Sequence, residues 1–472
     1  MTSYPRDALA AGMARPASVR RTLASLSLSM LLASLGTSIA NVGLPTLAEA
    51  FSASFQEVQW VVLAYLVTIT TLIISVGRLG DIVGLQRLLL AGIALFTVAS
   101  ALCGGAPHLF LLVAARALQG LGAAVMMALA LAMVGEAVPK ERTGSAMGLL
   151  GTMSAIGTAL GPSLGGALIA GFGWRAIFLV TVPIGLLTLF LAYRGLPTDR
   201  PASGSGRPRF DSIGTLVLAL TLGAYALAMT IGRSTFGVTN LFLLLAALCG
   251  TCLFLFVEAR AVSPLVQLSM LREPRLRSGL FASMLVATVM MTTLVVGPFY
   301  LSRGLGLDAA LVGMLMSAGP VVSALAGVPA GRLVDRCGAT RIMISGLAAM
   351  ATGCVGLSVG PGSFGVAGYV VPLVILTAGY ALFQAANNTG VMQDARSNER
   401  GVVSGLLNLS RNLGLVSGAS VMGAVFAFAA ASEAATATAT AAGMRATFAV
   451  ATVLVVVAIA TAAASRAPAV RP

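Results

Sequence analysis

The chain has 472 residues, 58% of them hydrophobic and only 9% charged, with a formal net charge of +14. Soluble domains carry roughly 25% charged residues, so this chain lacks the charge to cover a water-facing surface and needs lipid as its solvent. The positive charge does not indicate nucleic acid: the arginines stand singly or in small groups between apolar runs, not together on one water-facing face.

Apolar runs of about 20 residues, enough for a helix to cross a bilayer, recur along the sequence. In chain order they predict spans over 22–45, 58–78, 88–105, 108–137, 143–170, 174–194, 211–232, 239–258, 278–302, 309–330, 341–360, 366–393, 401–430 and 443–465. The expected fold class is an all-α integral membrane protein of fourteen transmembrane helices. Arg6, Arg15, Arg20 and Arg21 precede the first run. That run exceeds the roughly 7–15 residues of a signal-peptide core, so it reads as an uncleaved first span.

An even count puts both termini on one side. If that side is the cytoplasm, the inside segments hold 23 of the 29 Lys and Arg residues, the outside loops hold four, and Arg116 and Arg411 lie within spans. This bias predicts both ends inside, because basic residues are retained in cytoplasmic loops. One lysine, Lys140, against 28 arginines suggests a GC-rich bacterial genome, hence a bacterial cytoplasmic membrane. Cys103, Cys249, Cys252 and Cys354 fall in apolar runs, and His108 is the only histidine. Neither a disulfide framework nor a metal cluster is expected, and no cofactor or catalytic constellation is seen.

Gly77 begins GRLGDIVGLQR, and Gly331, 254 residues further on, begins GRLVDRCGATR. Both read G-R-L-x-D-x-x-G-x-x-R after an apolar span on the predicted inner side. The pair Glu141-Arg142 is echoed by Glu399-Arg400 at a similar offset. The repeat predicts a six-span bundle at 22–194, a cytoplasmic linker at 195–210, a two-span insert at 211–258, a cytoplasmic loop at 259–277 and a second six-span bundle at 278–465. Parallel halves of this kind are a known transporter architecture.

Four motifs resemble those of the major facilitator superfamily, specifically its fourteen-span drug/proton antiporters of the multidrug efflux type. In the inner loop motif, Gly77, Leu79, Asp81 and Gly84 match, followed by Arg87, and the second copy keeps Gly331, Asp335 and Arg336; the resemblance makes these gating residues. In span 4, LVAARALQGLGAA matches the buried-arginine motif with Arg116, Gln119 and Gly120. In span 5, GTALGPSLGGAL matches the antiporter motif with Gly157, Gly161, Pro162, Gly165 and Gly166. In span 1, Asn41, Leu44 and Pro45 match, but Gly36 stands where the family commonly has an acid. The resemblance implies a major facilitator fold, and export of drugs or toxic small molecules by alternating access in exchange for protons. The proton-motive force then takes the place of a cofactor.

Each motif also has a plainer reading. Arg116 lies about 12 Å inside its span at 1.5 Å per residue, where it either faces a cavity or bonds backbone carbonyls. The small residues of span 5 also serve helix packing. Glu136 and Asp394, at the inner ends of spans 4 and 12, read as interfacial acids or as a proton relay. The polar residues Asn41, Gln59, Tyr65, Gln384, Asn387, Asn388, Asn408 and Arg411 are candidates for a substrate cavity, with interhelical hydrogen bonding as the alternative for the amides. Intramembrane arginines without a buried acid also suit a polar or anionic metabolite, and a non-transporting receptor or scaffold is the alternative of a different class. The expected partners are a small-molecule substrate and the lipid bilayer, with no nucleic acid, and a monomer is the default state.

Overall fold

The computed structural model describes residues 16–137, 143–196, 212–231, 237–260, 273–360, 364–394, 400–430 and 437–464. Regular structure among these residues is wholly helical, as lipid demands of a chain that must satisfy its own backbone polar groups. Fourteen helices are long and apolar enough to cross a membrane. They are numbered here as spans 1 to 14: Arg20–Val42, Phe55–Ile73, Leu85–Gly105, Leu109–Val134, Leu149–Phe172, Ala176–Gly195, Ile213–Thr230, Val238–Arg260, Pro274–Gly304, Ala309–Gly327, Ala339–Val359, Ala367–Met392, Leu406–Ala430 and Ala437–Ala464. Fourteen successive spans bring the start of span 1 and the end of span 14 to one face, called here the terminal face; the other is the far face. Apolar side chains such as Phe110, Leu220, Phe242 and Leu325 point outward, as a lipid-facing surface requires.

The repeated inner motif is less a loop than the reading of its glycines suggests. The helix containing span 2 runs Phe55–Val83 and that containing span 10 ends at Cys337, so most of each motif is helical. The reversal falls on one residue in each copy, Gly84 with φ 105° and Gly338 with φ 84°. These left-handed values strain any residue with a Cβ.

The internal repeat extends to how the helices cross. A Cβ on Gly122 would lie 2.7 Å from the Gly92 carbonyl oxygen, and one on Gly379 would lie 2.6 Å from that of Gly346. Spans 3 and 4 therefore touch backbone to backbone, and spans 11 and 12 do so at matching positions. Gly157 and Gly161 likewise bring span 5 onto span 1 near Leu35 and Ile39, while Gly414 and Gly418 bring span 13 onto span 9 near Met284 and Thr288. Such small-residue crossings allow the close approach that packs helices in lipid. In span 13 the helix widens into a π turn at Gly418–Met422.

Toward the far face one apolar core runs through both groups of six. It joins Leu35, Ile39, Val58 and Val62 of the first group to Val295, Phe299, Val416 and Phe426 of the second. Phe55 lies 4.6 Å from Phe299 and 5.1 Å from Phe426, ring centroid to ring centroid. Gln59 donates from Nε2 to the Ala419 carbonyl at 2.8 Å, and Gly166 of span 5 rests on Gly313 of span 10. Toward the terminal face the cores part. Leu26, Met30, Leu89, Leu129 and Leu150 form one cluster, while Leu276, Leu280, Val391 and Leu406 form another. The crevice between the two groups is thus closed at the far face.

Span 7 lies along that crevice. Thr215 shares a 2.6 Å hydrogen bond with Ser75, and Thr230 accepts from the Trp60 indole at 3.0 Å, so span 2 holds it near both ends. A bond of 3.0 Å, from the Tyr225 hydroxyl to Ser417 Oγ, reaches span 13, where Leu218 and Leu222 also pack with Leu406 and Leu409.

Candidate functional site

Five of the polar candidates gather around one cavity. Gln384, Asn387 and Asn388 on span 12 follow helical spacing and share a face, as do Asn408 and Arg411 on span 13. Together with Ser283, Val286, Ala287, Tyr380, Phe383, Met392 and Leu407 they line a space of about 140 Å³. Every lining residue belongs to span 9, 12 or 13. The wall is firmly built: the Ser410 hydroxyl donates to the Leu280 carbonyl, Thr288 Oγ1 donates to the Gly414 carbonyl at 3.1 Å, and Asn387 Nδ2 donates to the Gly279 carbonyl at 3.2 Å.

Arg411 is the one charged side chain in that lining. It is exposed, and among the described residues it makes no hydrogen bond or ion pair. Its helix begins at Arg400, which places it about 16 Å along the axis from that end. A lone charge at such depth costs about 2.5–3.5 kcal/mol on insertion scales. Among the described residues none supplies a counter-ion, which leaves water or cargo to offset that cost.

Arg116 is the opposite case. It is completely buried and wired into its own bundle. Its Nε donates to the Val61 carbonyl at 2.7 Å, and Nη1 to Gln119 Oε1 at 2.5 Å; Gln119 Nε2 passes the chain on to Ser100 Oγ at 2.7 Å. The guanidinium carbon stands 4.1 Å over the Tyr65 ring, whose hydroxyl donates to the Ala33 carbonyl at 2.7 Å. Only Nη2 lacks a partner. Gly120 permits this arrangement, since a Cβ there would fall 2.6 Å from the Tyr65 carbonyl oxygen. Where the family's acid would project, at Gly36, a Cβ would lie 3.0 Å from the Tyr65 hydroxyl. Arg116 thus ties spans 1 to 4 together and does not border the cavity.

The other candidates lie apart. Asn41 is buried and donates to the carbonyls of Thr37 and Ser38. Gln59 and Tyr65 make the bonds given above and do not line the cavity. Gly157 and Gly161 sit in the span 1 crossing, Gly165 packs on Val42 and Ile39, and Pro162 and Gly166 meet span 10 at Gly313. At the terminal face, Arg87, Asp335 and Arg336 are exposed and Gly331 is partly so. Gly77 and Asp81 lie in the last turns of the span 2 helix, Glu136 and Asp394 in the last turns of the span 4 and span 12 helices; the side chains of Asp81, Glu136 and Asp394 are outside those described.

Ser283, Tyr380 and Met392 join the cavity without having been singled out, because nothing in their local sequence separates them from ordinary packing. Gly313 and Gly423 at the far closure were findable. Gly423 stands 257 residues after Gly166, and Gly313 stands 254 after Gln59, so the contacts Gly166–Gly313 and Gly423–Gln59 are copies of one another.

Repeated helix crossings in a membrane-spanning chain, with a polar cavity among spans 9, 12 and 13, fit a carrier of small molecules. The chain belongs to the major facilitator superfamily, whose family model matches residues 26–419. It is a multi-pass membrane transporter and not an enzyme. It is 30% identical over 402 residues to the riboflavin transporter RibZ of Clostridioides difficile (strain 630), covering 85% of this chain and 87% of that protein. It is also 30% identical over 409 residues to the multidrug resistance protein Stp of Mycobacterium tuberculosis (strain ATCC 25618 / H37Rv), covering 86% and 75%. Among solved structures, a bacterial homolog of the human lysosomal transporter Spinster, in an inward-facing and occupied conformation, superposes with a TM-score of 0.71 at 15% identity over 96% of this chain and 97% of that one.

Proposed function

We propose that the protein exports drugs or toxic small molecules across a bacterial cytoplasmic membrane by alternating access, in exchange for protons. The observation that carries this is the cavity at Arg411, a polar patch with an unpaired cation at membrane depth beneath a sealed far face. Two features support export: the span 5 motif that resembles those of antiporters, and similarity to Stp. The loop bias of Arg and Lys supports a cytoplasmic terminal face, so the described state opens inward. The bundles divide as 22–194 and 278–465, with 211–258 as the insert, and a single chain suffices because both bundles border one crevice.

Glu136 and Asp394 are the proposed proton carriers, each in the last turn of its helix. Export is tested with a panel of toxic compounds on expressing cells, with and without a protonophore. Expression lowers accumulation of at least one compound, the protonophore abolishes the difference, and Arg411→Ala does so too without reducing the inserted protein. Full export by a well-inserted Arg411→Ala variant defeats the assignment of the cavity. For the relay, substrate-driven proton movement is followed in vesicles; if Glu136→Gln and Asp394→Asn both leave it intact, these two acids are not the carriers.

A further inference from the structure

We infer that the cargo is an amphipathic anion, a carboxylate or similar group on an apolar or aromatic body, with its charge seated on Arg411. The inference rests on the export reading and names the chemistry of its cargo. The polar groups at the cavity are the Arg411 guanidinium and the amides of Gln384, Asn388 and Asn408, with the Tyr380 hydroxyl beside them, while the Asn387 amide is committed to the Gly279 carbonyl. No carboxylate is among the described lining residues. A lipophilic cation entering there meets like charge and, among the described residues, no acid to neutralise it. An anion meets a planar fork of N–H donors shaped for two parallel hydrogen bonds to a carboxylate.

The two intramembrane arginines differ in what they leave free. Arg116 gives Nε to Val61 and Nη1 to Gln119 and is completely buried. Arg411 has no partner among the described residues and is exposed. The apolar remainder of the wall, from Val286, Ala287, Phe383 and Leu407, suits the body of such a compound. The space of about 140 Å³ suits one or two small rings within this wall, any larger part extending into the crevice.

Charge bookkeeping follows from the class of cargo. Exchanging one proton for a monocation moves no net charge. Exchanging one proton inward for a monoanion outward moves two positive charges inward, and an inside-negative potential drives both. Each charge is worth about a 50-fold concentration ratio per 100 mV. Export of an anion therefore responds to voltage with no pH gradient present.

The test uses the full chain, purified and reconstituted in liposomes, with 2-naphthoate and the cationic isostere 2-naphthylmethylammonium as probes. Voltage is set by potassium and valinomycin at equal pH. Saturable movement of naphthoate toward the positive side, faster than that of the ammonium, is expected. Arg411→Gln raises the half-saturating concentration about tenfold or more, as loss of a charge-assisted hydrogen bond predicts, while Arg411→Lys stays within a few-fold of the parent. Matching gel-filtration and thermal unfolding profiles show that each variant is folded. Preference for the ammonium overturns the inference, as does naphthoate flux unchanged by Arg411→Gln or insensitive to voltage. If neither probe moves while cells still extrude a compound from the toxic panel, the anion assignment falls and the export reading stands. If neither probe moves and nothing is extruded, both fall.

Discussion

A methyl group placed in the far closure should tip the carrier toward its opposite state. Gly166→Ala is the sharpest case. The added Cβ would sit 2.9 Å from Gly313 Cα and closer still to the Ala309 carbonyl oxygen, and backbone cannot step aside as a side chain can. Overpacking of this kind costs about 1–3 kcal/mol. The cost is borne only while spans 5 and 10 touch, so it disappears in a state where they part. The equilibrium then moves about 5–150-fold toward the far-open form. The assay uses a chain with its five native cysteines replaced and Asn408→Cys added, labelled from the terminal face with an impermeant maleimide. Labelling slows in Gly166→Ala. The matching contact has a softer partner: a Cβ on Gly423 would meet the Gln59 side chain, 2.9 Å from its amide carbon. Gly423→Ala should therefore act more weakly, and Gln59→Ala should cancel it while leaving the Gly166→Ala effect in place. Unchanged labelling in a well-folded Gly166→Ala variant would refute the reasoning, because the closure would then have absorbed the methyl locally.

Three further outcomes follow from the packing. Arg116→Leu strands the Val61 carbonyl and Gln119, a loss of about 1–3 kcal/mol; it should lower the thermal unfolding midpoint far more than Arg411→Ala, and equal midpoints would deny Arg116 its bracing role. Gly84→Ala and Gly338→Ala each force a Cβ into a backbone of positive φ and extended ψ at about 1–3 kcal/mol, so both should destabilise by similar amounts in the same unfolding measurement. A double-mutant cycle of Trp60→Phe and Thr230→Val should return a coupling near 0.6 kcal/mol, the average for interhelical hydrogen bonds in membranes; zero coupling would mean that this bond does not hold span 7 to span 2.

The spans were legible in the sequence because lipid enforces one simple rule, unbroken apolar length, and all fourteen runs obey it. Gly84 and Gly338 were legible through the repeat, although the sequence alone did not show that one residue makes each reversal. The polar residues of spans 12 and 13 stood out because amides and an arginine at helical spacing are rare at membrane depth, and they do share a cavity. The same criterion also picked Asn41, Gln59 and Tyr65, which spend their polarity on backbone carbonyls. Residue type does not tell these situations apart, since an amide is equally at home on a carbonyl or beside water. The difference lies in the distance to a neighbouring helix, which only packing sets. Arg116 and Arg411 make the point most clearly, with the same side chain at similar depth, one stacked on Tyr65 and the other bare.

Span 7 also constrains how the seam between the bundles can open. Its two bonds to the span 2 helix are 15 residues apart, at Thr215 and Thr230, about 22 Å along the axis; toward span 13 it has the Tyr225–Ser417 bond and the packing of Leu218 and Leu222 with Leu406 and Leu409. A swing that separates spans 2 and 13 and leaves span 7 on span 2 must break the Tyr225 bond and peel Leu218 and Leu222 from Leu406 and Leu409. Span 7 then rides with span 2 as a weather strip along a door edge, and acyl chains that would otherwise wedge into the widening gap meet a helix flank.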